Sequence, residues 1–332
     1  MRAVRSLASG ILALVAPHAS AVAQQPPVPA TPPATTPAAA APAAAPAEAA
    51  AGRMEYFRLE STLLKQELEV GVYLPPGYDG GTARYPVLYF LHGMWGTARK
   101  WAERSTNGTL DRLIAEGKLG PMLVVCPDGK NSMYVNAIEG GGDWGDFLAS
   151  ELVETIDGRY RTRTDRASRG INGDSMGGYG ALNVAFKHPD VFGSVSAHSA
   201  AIYPIDPDQL PDRIKQFAQQ WKPVYGWPID VDHWKEWNPL ELAATLPAET
   251  LKQLAIYFDC GDHDRFGFNK TNDELHQVLE KRGIPHQWFL RSGGHGRDYF
   301  SEYAAESMRF HGAAFAGAKQ PSGAKPAGSG AP

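Results

Sequence analysis

Six short strand-like runs recur along the chain, and each leads into Gly, Asp, Ser or His: YPVLYFLHG (85–93), MLVVCPDG (122–129), RGINGD (169–174), SVSAHSA (194–200), LAIYFDCG (254–261) and HQWFLR (286–291). Several of the gaps between them carry helical patterning. Helices are expected over 97–116, from Asp143 through FLASELVETID, and over 176–187, where Pro189 stops the chain. A fourth, TNDELHQVLEKRG, puts Leu275, Val278 and Leu279 on one face and closes at Gly283. A strand, helix, strand rhythm predicts an α/β class with a mostly parallel central sheet and helices on both faces. Two earlier runs, 55–61 and 66–78, the latter alternating until Pro75 and Pro76 stop it, are expected to add an antiparallel edge. In such a sheet, ligands bind at the carboxyl ends of the strands, so polar residues there rank first.

The two ends of the chain do not belong to that pattern. Arg2 and Arg5 precede a short apolar run, and Ala21-Val22-Ala23 offers a cleavage site, so residues 1–23 read as a signal peptide and the mature protein as secreted or periplasmic. Pro17 and His18 interrupt the run short of the roughly 20 residues a membrane span requires, so no stable insertion is expected after cleavage. Residues 24–52 are an Ala/Pro-rich linker expected to be disordered, as is the Gly/Pro/Ser tail at 313–332. One large domain over 53–312 remains. With a net charge of -4 and no basic stripe interleaved with aromatics, nucleic acid is a poor partner and a small or polysaccharide-linked ligand a better one.

The strand-to-helix junction INGDSMGG carries the spacing Gly173-x-Ser175-x-Gly177. In a chain with 35 Gly such spacing recurs by chance, so its context decides. Here it falls between a strand and a helix, where flanking glycines let backbone segments crowd together and lift a hydroxyl clear. A serine nucleophile needs an imidazole to take its proton and an acid to orient the imidazole. His295, in SGGHGRDYF, and Asp264, in CGDHDRF, each follow a later strand, and the order Ser175, Asp264, His295 is that of the α/β-hydrolases. Singly, each has a plainer reading: a turn serine, an Asx-turn aspartate, a surface histidine. The amide of Met176, at the helix start, and that of Met94, after the strand ending at His92-Gly93, are candidate oxyanion donors.

Asp259, Asp262, His263 and Asp264 crowd one loop, but nothing distant completes a ligand set, so neither metal nor cofactor is expected. Trp221, Trp227, Trp234 and Trp237 sit in a long insertion between two strands, either packing it down or lining a pocket.

The segments VYLPPGY, YPVLYFLHG, SELVETIDGRYRT, GDSMGGYGALNVAFKHPDVFG, WNPLELA, CGDHDRFGFN and GGHGRDYF resemble the esterase branch of the α/β-hydrolases, from about Leu68 to Phe300. That branch contains feruloyl and acetyl-xylan-type esterases, S-formylglutathione hydrolases and secreted mycolyltransferases. The resemblance implies an α/β-hydrolase fold with Ser175 as nucleophile, His295 as base, Asp264 as orienting acid three residues after the strand-end Gly261, and Met94 and Met176 as oxyanion donors. Mycolyltransferases carry Asp-Gly-Leu-Arg where this chain has His92-Gly93-Met94-Trp95, which argues against their acceptor chemistry. The expected activity is that of an exported carboxylic-ester hydrolase on feruloyl or acetyl esters. An acyltransferase and a non-catalytic binding protein on the same fold are the alternatives. The family strand order also implies that Cys126 and Cys260 lie four strand spacings, roughly 19 Å, apart, beyond the ~7 Å a disulfide spans.

Overall fold

A computed structural model describes residues 51–104 and 106–317. The leader expected at 1–23, most of the linker at 24–52 and the tail beyond 317 lie outside the described residues. Eight strands form one sheet in the order β1-β2-β4-β3-β5-β6-β7-β8: β1 (Arg53–Ser61), β2 (Gln66–Leu74), β3 (Val87–Leu91), β4 (Leu123–Pro127), β5 (Arg169–Asp174), β6 (Ser194–His198), β7 (Ala255–Gly261) and β8 (Gln287–Arg291). The pairs β1–β2 and β2–β4 are antiparallel and the other five are parallel. The expected antiparallel edge is present.

Between β3 and β4 lie α1 (Lys100–Glu103) and α2 (Thr106–Ala115), and before β5 lie α3 (Trp144–Ala149) and α4 (Glu151–Arg159). After β5 comes α5 (Met176–Lys187). The insertion after β6 holds α6 (Asp212–Ala218), α7 (Lys222–Tyr225), α8 (Val231–Glu236), α9 (Pro239–Thr245) and α10 (Ala248–Leu251). Then α11 (Phe268–Lys281) joins β7 to β8, and α12 (Arg297–Phe315) follows β8.

The period of two along a strand divides the core into two layers. Val87, Tyr89 and Leu91 of β3 face one cluster with α3, α4, α5, α9 and α11, whereas Leu88 and Phe90 face another with α2 and α12. Both faces of the sheet are thereby covered, as the near-continuous apolar character of its central strands requires.

Three expectations change. The helix expected over 97–116 is two pieces, because the chain turns at Arg104 to send its guanidinium inward to Asp174. The helix from Asp143 breaks at Ser150 (φ -127°, ψ -81°), whose hydroxyl donates to the Asp146 carbonyl at 2.6 Å. Residues 313–315, expected in the tail, are helical, since α12 runs to Phe315, whose ring packs 6.0 Å from that of His311. Among the described residues no helix is long and apolar enough to cross a membrane.

Candidate active site

Ser175 occupies a turn that few residues tolerate. β5 ends at Asp174, α5 begins at Met176, and Ser175 between them has φ +55° and ψ -115°. A side chain held at positive φ stores strain that the surroundings must enforce. They do: the Ser175 amide donates to the His198 carbonyl at 2.9 Å, and its carbonyl accepts from the amides of Tyr179 at 3.0 Å and Ala201 at 2.9 Å. The flanking glycines are required by space. A Cβ on Gly177 would stand 1.9 Å from the Leu91 carbonyl oxygen, and one on Gly173 2.2 Å from the Gly177 backbone.

The loop after β8 brings His295 over this turn. Its Nε2 lies 2.9 Å from Ser175 Oγ and its Nδ1 lies 2.7 Å from Asp264 Oδ2. The Asp264 side chain is fully buried. Burial acts to raise its pKa, but the His295 hydrogen bond and charge, with the Phe266 amide on Oδ1 at 2.8 Å, hold the carboxyl below the usual range. An ionised Asp264 accepts only, so Nδ1 carries the imidazole proton and the Nε2 lone pair faces the hydroxyl. Phe266, Phe300 and Phe268 surround the ring at centroid distances of 4.9, 5.3 and 5.6 Å and fix its plane.

The other members of the acidic run face elsewhere. Asp262 Oδ1 accepts from the Gly293 amide at 2.9 Å and meets the exposed His263 at 2.6 Å, tying two loops together. Asp259 is buried with His198 Nδ1 at 2.9 Å and the hydroxyls of Tyr257 and Tyr299 at 2.8 and 2.7 Å. Three carboxylates pointing in three directions do not make one ligand set.

The loop 92–96 lies directly above the serine, with a Cβ position on Gly93 only 3.4 Å from Ser175 Cβ. Buried His92 orders this loop. Its Nε2 accepts from the Gly129 amide at 2.9 Å, so its proton is on Nδ1, which donates to the Gly93 carbonyl at 2.8 Å. The same carbonyl accepts from the Gly96 amide at 3.0 Å. In a trans peptide the N–H points opposite to the C=O, so pinning the Gly93 oxygen aims the Met94 N–H the other way. Among the described residues neither the Met94 nor the Met176 amide donates to a protein acceptor.

Residues 61–311 match the family model described as "Putative esterase". The chain belongs to this esterase family. A curated esterase of Mycobacterium tuberculosis is 27% identical over 272 residues, covering 73% of this chain and 56% of its own length. The chain thus spans little more than half of that relative. An endo-1,4-beta-xylanase/feruloyl esterase of Xylanibacter ruminicola is 34% identical over 152 residues, 43% of this chain and 20% of the relative. A solved ferulic acid esterase superposes with a TM-score of 0.70 at 29% identity, covering 80% of this chain and 99% of that one. The fold is that of the α/β-hydrolases.

In this esterase-family chain the serine opens onto a cavity of about 470 Å³. Met94, Trp95, Phe217, Trp221, Phe266 and Phe300 give it apolar walls, and Trp95, 67% exposed, stands at its rim with φ +58°. Of the four insertion tryptophans, Trp221, Trp234 and Trp237 are buried packing residues, Trp221 also lines the cavity, and Trp227 is exposed. Sequence reasoning missed Arg104, whose guanidinium forms a buried ion pair with Asp174 directly beneath the serine turn. It also missed His92 as the loop anchor and the three phenylalanines around His295. Only the position of His92 at a strand end offered a signal.

Proposed function

We propose that the chain is a serine carboxylic-ester hydrolase. The observation that carries this reading is the continuous chain from Ser175 Oγ through His295 to buried Asp264, with the neighbouring Met94 and Met176 amides bonded to no protein acceptor among the described residues. Ser175 Oγ attacks the ester carbonyl while its proton passes to His295 Nε2, and the Met94 and Met176 N–H groups take the charge on the carbonyl oxygen. Collapse breaks the bond to the alcohol, which leaves with the proton from His295. Water then repeats the sequence on the acyl-enzyme, giving up a proton to His295, and Ser175 leaves with it as the carboxylic acid is released.

The substrate class we propose is feruloyl or acetyl esters. The aromatic walls suit an aryl acyl group, and two of the similar proteins are described as feruloyl or ferulic acid esterases. We further propose export, supported by the Arg2/Arg5 leader and the small residues at 21–23. Turnover of 4-nitrophenyl acetate and methyl ferulate by the purified protein tests the activity. Ser175→Ala is expected to lower kcat by several orders of magnitude while keeping the thermal transition of the parent. A folded Ser175→Ala protein with near-parental turnover would overturn the assignment.

A further inference from the structure

We infer that the mouth of the cavity is an anion subsite selecting esters that carry a carboxylate, an inference that rests on the esterase reading. The cavity lining contains five cationic side chains, Lys100, Arg104, Arg213, Arg265 and Arg297, and no Asp or Glu. In a chain of net charge -4 this is a local concentration against the overall balance. Arg104 is neutralised by Asp174, and Lys100 approaches Glu103 at 3.7 Å. The other three come from separate elements: Arg213 from α6, Arg265 from the β7–α11 loop and Arg297 from the start of α12. Among the described residues none of the three has a carboxylate within ion-pairing distance.

These guanidinium groups are positioned before any ligand arrives. Arg213 and Arg265 stand 5.1 and 5.0 Å from the centroid of the Phe266 ring, which itself packs edge-on against His295. Arg297 donates from Nη2 to the Glu103 carbonyl at 3.1 Å. Two of the charges are therefore one aromatic ring away from the imidazole, on exposed side chains at the opening of the cavity. Three like charges around one opening repel each other, and an anionic substrate group relieves that repulsion. A planar guanidinium also matches a carboxylate in shape, which an ammonium does not.

Two matched pairs test this: 4-nitrophenyl hemiglutarate against 4-nitrophenyl pentanoate, with the charge on the acyl side, and 4-acetoxybenzoate against 4-acetoxybenzamide, with the charge on the leaving group. In at least one pair the anionic ester should be favoured about tenfold in kcat/KM, the order of one charge-assisted hydrogen bond. The pair that responds identifies the side on which the charge is read. The preference should shrink at high salt and fall to within about twofold in an Arg213→Gln/Arg265→Gln/Arg297→Gln variant. Neutral esters equal to or better than their anionic partners, or a preference that survives the triple substitution, would sink the proposal. Binding by the Ser175→Ala protein gives a reading independent of turnover. There 4-acetamidobenzoate or N-phenylglutaramate should bind more tightly than its neutral counterpart, and the triple substitution should abolish the difference. Equal binding of charged and neutral ligands refutes the subsite even if catalysis stands, and charge-selective binding without any turnover refutes the catalytic reading instead.

Discussion

Asp264 and Asp262 leave the same strand two residues apart, and their contacts assign them different tasks. Asp264 Oδ1 is occupied by the Phe266 N–H. An asparagine there must keep its oxygen on that donor, which turns its NH2 toward His295 Nδ1. The imidazole proton is then forced to Nε2, where it blocks acceptance from Ser175. Asp264→Asn should therefore lower kcat by about four orders of magnitude, with little change in melting temperature. Asn at 262 can still accept from the Gly293 amide, so Asp262→Asn should stay within about tenfold of the parent. Reversed results in kcat measurements on the two variants would place the acid at 262. Arg104 makes a different prediction. Arg104→Leu leaves Asp174 buried without its partner, at a cost of about 3–5 kcal/mol to be read from denaturant unfolding. Ser175, Asp264 and His295 were legible as candidates because each follows a strand in a fixed order. Arg104 was not, because its partner lies 70 residues away and nothing local marks an arginine for burial.

At the scale of elements, the strands were legible to within a few residues because turn residues end them, as Pro75 and Pro76 end β2. The helix breaks at Arg104 and Ser150 were not, since long-range packing and a side-chain bond to Asp146 override local periodicity there. The insertion helices and α12 also went unread. The insertion helices are short, and α12 presents Tyr299, Ser307 and His311 to the sheet, a polar set that blurs an apolar face. The loop 92–96 offers a test at this scale. His92→Phe removes both ring hydrogen bonds and leaves the Gly93 carbonyl held only by the Gly96 amide, loosening the peptide that aims the Met94 N–H. A loss of roughly 10²–10³ in kcat with KM nearly constant is expected, the size of one missing oxyanion donor. A fall in stability with a rise in KM and little change in kcat would instead mark His92 as purely structural.

Across the whole molecule, burial of titratable groups sets the response to acid. His311 sits under the sheet with Ser194 and Ser196 hydroxyls at 2.8 Å on its two nitrogens. Burial, reinforced by the nearby charge of His198, pushes it down to about 3 from an ordinary 6.5. Between those values the unfolded chain binds the proton and the folded one does not, so stability falls as pH drops from about 6.5 toward 3. His198 works the other way: burial lowers its pKa but the Asp259 carboxylate raises it further, so its contribution is present below about 6.5 and lost as pH rises through its folded value. Replacing His311 with Gln should flatten the acid limb of unfolding free energy against pH by up to about 1.4 kcal/mol per pH unit. Parallel acid limbs would contradict this. The two thiols are buried and free, on β4 and β7 with β3, β5 and β6 between them. They should label only after denaturation, two per chain, without reductant.

The insertion between β6 and β7 has a consequence for divergence. Arg213, Ile214, Phe217 and Trp221 reach the cavity from it, whereas Ser175, Asp264 and His295 stand at strand ends. Part of the cavity wall is thus inscribed on a stretch of the gene that carries none of the three proposed catalytic residues, although Arg265, Phe266 and Arg297 sit beside them. Replacements at positions 213, 214 and 217 can redraw what the cavity admits without moving a strand, as long as Trp221 and Trp234 stay packed beneath them. Drift confined to one cassette can therefore alter what enters the cavity, and the cassette is where an experimenter wanting a new ester should place a library.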